Sequence, residues 1–161
     1  MKRARALACT AVLACAQTPP PSDEPAEMPP YPKKADLIEF QVSPPGDFRF
    51  FVDGATLDVS KDGIVRYVVV ARSAAGAENV SYETLRCSTA EYRIHGVGEP
   101  GGNWGGRATP WRPVSTPPVQ YWRIALQREY FCPQKEPIRD AAEGRRALRD
   151  GGHPFSKGFG S

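Results

Sequence analysis

Apolar and polar residues alternate most regularly between Lys61 and Cys87. Asp62-Gly63 opens this stretch as a turn, and Ile64 to Arg72 follows as nine residues rich in Val. Val65, Tyr67 and Val69 fall on one face, Val68 and Val70 on the other, which predicts a central strand covered on both sides. Ser73 to Ala77 is small and contains Gly76, a hairpin connection of about five residues. Asn79 to Cys87 then returns, with Val80 and Tyr82 set against Ser81 and Glu83.

Shorter alternating runs precede the hairpin. Ile38 and Phe40 share a face of Leu37 to Val42, Ser43-Pro44-Pro45-Gly46 breaks the run, and Phe48 to Val52 resumes it until Asp53-Gly54. Thr56 to Val59 reads as a short third strand. After Cys87, Glu91 to His95 alternates again. Gly96 to Pro118 then loses all period and carries Trp104 and Trp111, read as pinning an irregular loop to the body. Val119, Trp122, Leu126 and Tyr130 recur at helical spacing behind a Thr116-Pro117-Pro118 start, although Trp122, Ile124 and Leu126 would also fit a strand. Pro137 to Asp150 reads as a second helix with Ala141, Ala142 and Leu148 as a thin apolar stripe, stopped by Gly151-Gly152. The expected fold is α+β. A small, mostly antiparallel β-sheet centred on the 64–87 hairpin carries one or two C-terminal helices.

Composition changes the picture at the N-terminus. The net charge is +3, but Lys2, Arg3 and Arg5 account for it, leaving 18 basic residues against 18 acidic ones. A body so close to neutral argues against nucleic acid as a partner. The three charges precede a short apolar run, Ala6 to Ala14, as in an export signal. Val12-Leu13-Ala14-Cys15 resembles a lipobox, which makes Cys15 the expected lipidation site. The competing reading is ordinary cleavage after Ala16. With Ala16 in place of a retention aspartate, the expected address is the periplasmic side of the outer membrane, or soluble periplasm if Cys15 is not lipidated. The chain accordingly divides into a lipoprotein-type signal at 1–15, a Pro-rich disordered tether at 16–35, a globular domain at 36–150 and a flexible tail at 151–161.

Export also decides what the cysteines mean. With Cys9 and Cys15 in the signal, Cys87 and Cys132 remain, and an isolated pair in an oxidising compartment is expected to form a disulfide. Closing that loop contributes on the order of 4 kcal/mol in the chain-entropy model.

Candidate chemistry is sparse. Neither His95 nor His153, which falls in the tail, has ligand spacing to Cys or carboxylates, and no nucleotide, haem or nucleophile-elbow motif occurs. Asp53, Asp58 and Asp62 sit in turns, lack the EF-hand spacing and need no metal to explain them. No metal, cofactor or catalytic residue is therefore assigned. Arg66, Asn79, Glu83 and Arg86 form a candidate polar cluster, with Glu83 and Arg66 expected to pair across the hairpin on the surface.

Asp62-Gly63-Ile64-Val65-Arg66-Tyr67, Gly76 to Glu83 and Arg86-Cys87 together resemble the cryptic-neisserial-protein-like (CNP-like) family, and the likeness runs from about Asp36 to Cys132. Thr84-Leu85 departs from the Gly-Ile pair more usual there. The resemblance implies an exported, often lipidated bacterial protein, and it brings no catalytic residues with it. The functional expectation is a non-enzymatic binding or structural module. It would be anchored to the membrane through its N-terminal lipid and meet an envelope protein or component. The alternative is a hydrolase or small-ligand carrier with a site under the 96–118 segment, using Glu83, Asp53 or His95.

Overall fold

A computed structural model describes residues 27–43, 45–115 and 121–156. The signal and lipid-site readings, the start of the tether and the Thr116-Pro117-Pro118 helix start lie outside these residues.

The fold is α+β: an eight-stranded antiparallel sheet with the order β1-β2-β4-β5-β6-β7, and with β3 and β8 pairing at its margins. The strands are β1 (Leu37–Phe40), β2 (Phe48–Asp53), β3 (Asp58–Val59), β4 (Ile64–Ser73), β5 (Glu78–Arg86), β6 (Glu91–Glu99), β7 (Asn103–Gly105) and β8 (Arg112–Pro113). The β4–β5 hairpin is its centre, paired without a break from Ile64↔Arg86 to Arg72↔Glu78. Ser73 and Ala77 close it, and Gly76 supplies the left-handed φ of +85° that the turn requires.

β4 is covered on both faces, as its paired apolar sets predict. One face, here the helix face, carries Val65, Tyr67 and Val69 beneath helix α1 (Tyr121–Ala125), the π-helical segment Leu126–Phe131 and helix α2 (Ala141–Arg149). The other, the strap face, carries Val68 and Val70 with Phe51, Val80 and Tyr82. The segment after residue 120 is thus a helix rather than a strand. A disulfide joins Cys132 at its end to Cys87 at the end of β5. Tyr130 helps to seat it, since its hydroxyl accepts from the Gln41 N–H at 3.1 Å and donates to the Gln41 carbonyl at 3.0 Å.

Helix α2 is capped at its first turn by the Asp140 carboxylate, which accepts from the Glu143 N–H at 2.8 Å. Its buried stripe is Gly144, Ala147 and Leu148, whereas Ala142 faces solvent. Gly144 permits the close approach, because a Cβ there would stand 2.6 Å from Ile138 and 2.7 Å from Leu57.

Three expectations change. The first part of the 96–118 segment is a hairpin rather than an irregular loop, while 107–111 stays irregular and 116–118 lies outside the described residues. β6 continues to Glu99, turns through Gly101 and Gly102 at positive φ, and returns as β7. Glycines at 96 and 98 hid this strand, because a residue without a side chain leaves no mark in a hydrophobic period. The tether is also not free throughout: Tyr31 packs on the strap face, and Trp104 Nε1 donates to the Pro29 carbonyl at 2.7 Å. Finally, His153 does not sit in a loose tail. It is buried, its N–H donates to the Glu129 carbonyl, and its ring meets Glu143 at 3.3 Å.

Candidate functional site

A buried ion pair joins α1 to β5. Alternation along β5 sends Ser81, Glu83 and Leu85 to the helix face, so the polar members of that set meet the helices rather than water. Glu83 is fully buried, and a single cation reaches it: Arg123 Nε donates to Oε2 at 2.7 Å and Nη2 to Oε1 at 2.6 Å. Ser81 adds a hydroxyl donor to Oε1 at 2.6 Å and Tyr67 one to Oε2 at 3.2 Å. The guanidinium also lies over the rings of Tyr92 at 4.2 Å and Trp122 at 4.6 Å.

A carboxylate in the interior is tolerated only when its charge and lone pairs are met, and four donors do so here. Burial works to lower the pKa of Arg123, but the hydrogen bonds and charge of Glu83 outweigh it and raise the value. Burial, followed by the neighbouring Glu83 charge, pushes the Tyr67 phenol well above its ordinary value. The raised values keep the Arg123 guanidinium charged and the Tyr67 phenol protonated, which suits a structural clamp better than proton transfer.

The residues singled out from the sequence do not form one cluster. Arg66 lies opposite Thr84, and Tyr67 opposite Glu83, so Arg66 and Glu83 point to opposite faces. The expected surface pair is replaced by two others, Arg66 with Asp58 at 3.3 Å and Glu83 with Arg123. The reason is the single-residue offset, which in a strand reverses the face. Arg86 pairs with Glu91 at 3.2 Å and stacks over Trp111 at 4.0 Å. Asn79 lies near the hairpin tip opposite Ala71.

The residues named for the alternative site are likewise dispersed. Asp53 is buried at the end of β2, where its Oδ1 accepts from the Ala55 N–H at 3.0 Å and burial raises its pKa. His95 lies on the strap face with Nε2 3.1 Å from the Thr84 hydroxyl and its ring 5.3 Å from Tyr82. Burial lowers its pKa, helped by the nearby charges of Arg93 and Arg66.

Sequence reasoning passed over Arg123. Its signal was present: it stands four residues after Val119 and three before Leu126, within the apolar stripe of the helix. A cation on a buried face implies a buried anion.

Beside this clamp, the helix face holds a groove of about 530 Å³. Phe50, Ala71, Ser81 and Val97 line it from the sheet, and Trp122 and Arg123 from the helix. Trp122 stacks on Phe50 at 5.5 Å, so one wall is a fixed aromatic pair. Phe48 and Val97, two large apolar side chains more than 40 % exposed, border the groove at 42 % and 44 %. Its volume is typical of small-ligand sites, commonly about 300–1,000 Å³. The one charged residue in its lining, Arg123, already faces Glu83.

In comparison with known proteins, the family model described as CNP1-like family matches residues 16–149. No curated protein and no solved structure matches the chain.

Proposed function

The chain belongs to the CNP1-like family, and from that premise we propose that it is an exported lipoprotein whose domain works by binding rather than by catalysis. Lipid on Cys15 holds it at the periplasmic face of the outer membrane. The domain meets an envelope component through the groove on its helix face. The reading rests chiefly on one observation: the groove is apolar, and its single charged lining residue is neutralised by a buried carboxylate. A site of that kind offers shape and apolar area without a free acid, base or nucleophile, and it suits an uncharged apolar ligand.

The N-terminal pattern of Lys2, Arg3 and Arg5, a short apolar run and the lipobox-like Val12 to Cys15 supports the export part. Because Pro29 and Tyr31 are already docked on the sheet, the spacer after Cys15 is the segment 16–26.

Two experiments test the parts separately. Cys15→Ser should abolish acyl labelling and move the protein off the membrane fraction; unchanged labelling removes the anchor from the reading. In cells, cross-linking through a photoreactive residue at position 48 should capture an envelope component, and Val97→Asp should abolish capture while the domain stays folded. Equal capture with and without Val97→Asp would exclude the groove.

A further inference from the structure

A second surface lies on the opposite face of the sheet from the groove, sharing only Gly98 with its lining. There β6 and β7 form a ledge from which side chains are missing where the chain's own N-terminal segment crosses. A Cβ on Gly96 would collide with the Met28 methyl, and one on Gly98 would stand 2.5 Å from the Tyr31 hydroxyl oxygen. Gly102 lies under the Tyr31 ring, which meets Trp104 with centroids 5.2 Å apart. The Trp104 indole N–H donates to the Pro29 carbonyl at 2.7 Å.

The occupant of this ledge is Met28-Pro29-Pro30-Tyr31-Pro32. Three prolines fix φ and remove three N–H donors, and the residues before them are driven to extended geometry. Such a segment cannot join a sheet as a strand, and none is assigned to it. It offers carbonyl acceptors and a row of rings, which is what an aromatic surface with an indole donor reads in proline-rich peptides.

We propose that the β6–β7 ledge is a recognition surface for extended proline-rich segments of the Pro-Pro-Tyr-Pro type. In this chain Met28–Pro32 occupies it in cis, and the same chemistry presented by another chain takes its place. Attachment is light: one hydrogen bond and ring contacts hold it, and Met28 is 36 % exposed. Its hold comes from high local concentration, so a free segment must compete with a tethered one. The other chain is a second copy of this one, which carries the same Met28–Pro32 segment, so the straps exchange between protomers.

The test uses the full chain carrying Cys15→Ser, with the Trp104 indole N–H resonance assigned by Trp104→Phe. Tyr31→Ala should shift this resonance toward that of a free indole. A peptide of the sequence of residues 27–33 should restore it saturably. The wild-type chain should need about a hundredfold more peptide, because the strap competes. A peptide with alanine in place of both prolines at 29 and 30 should fail. If Tyr31→Ala lowers the melting temperature too far for use, the same titration on the wild-type chain at high peptide concentration gives the readout. A resonance that no peptide moves, or that the alanine peptide moves equally well, overturns the proposal. The wild-type chain should form a concentration-dependent dimer that Trp104→Ala abolishes, and a chain that stays monomeric at every concentration overturns the exchange.

Discussion

On the helix face of the sheet, Tyr67, Leu85 and Glu83 are shut in beneath α1 and the π-helical segment, which a disulfide and a bidentate ion pair tie to β5. On the strap face, Val68, Val70 and Tyr82 are just as buried, but Tyr31 and Trp104, from an irregular segment and a short hairpin, help to cover them. Equal burial thus comes from unequal attachment. A helix satisfies its own backbone and adds covalent and ionic ties, whereas a proline-rich strap has few donors to give and is held by side-chain contacts. The first kind of cover sets stability. The second should come off without unfolding what lies beneath, because its hold is a few side-chain contacts and the Trp104 hydrogen bond.

The comparison can be broken first at Arg123. Arg123→Ala leaves the Glu83 carboxylate buried without its cation and should cost about 3–5 kcal/mol in denaturant unfolding. Replacing both residues with apolar ones should recover most of that loss. A cost below about 1 kcal/mol for the single change would mean that the clamp does not hold the helix face. Cys87→Ala with Cys132→Ala should come next, at about 2–4 kcal/mol, read by the same unfolding curve. Mass spectrometry of exported protein should find no free thiol at either cysteine.

Strap-face changes should be smaller. Tyr31→Ala should cost about 1 kcal/mol while exposing Trp104, which a red shift in its fluorescence would report. A loss comparable with that of Arg123→Ala would abolish the distinction between the two covers. Smallest should be Phe48→Asp at the groove border, within about 0.5 kcal/mol as an exposed site.

A pH effect belongs to the helix side. Burial of Glu143 acts to raise its pKa, but the N–H and side chain of Arg139 and the ring of His153 outweigh it and lower the value from 4.5 to about 2. A carboxylate with a depressed folded pKa contributes stability above its unfolded value and loses it as pH falls. Stability should therefore decline between about 4.5 and about 2 through this residue. Glu143→Gln should flatten that part of the profile measured by thermal unfolding, and an unchanged slope would refute the assignment.

How much of this was legible follows from what each residue shows by itself. The hairpin was, because Val, Tyr and Gly at fixed period are a local signal. The disulfide was too, because only Cys87 and Cys132 lie beyond residue 15. The β6–β7 hairpin was not, since Gly96 and Gly98 have no side chain to reveal a face. The candidate polar cluster misled because proximity in sequence says nothing of which face is covered. Glu83 looks like a surface residue until α1 is laid over it.

The sequence by itself determined the central strands, the α+β class and the pairing of Cys87 with Cys132. Local period, turn chemistry and counting suffice for those. Only the tertiary structure decided that Glu83 meets Arg123 across 40 residues, that His153 is buried, and that Met28 to Pro32 lies along a glycine ledge. Each depends on which surface ends up against which, and burial is a property of the packed chain that no single segment carries.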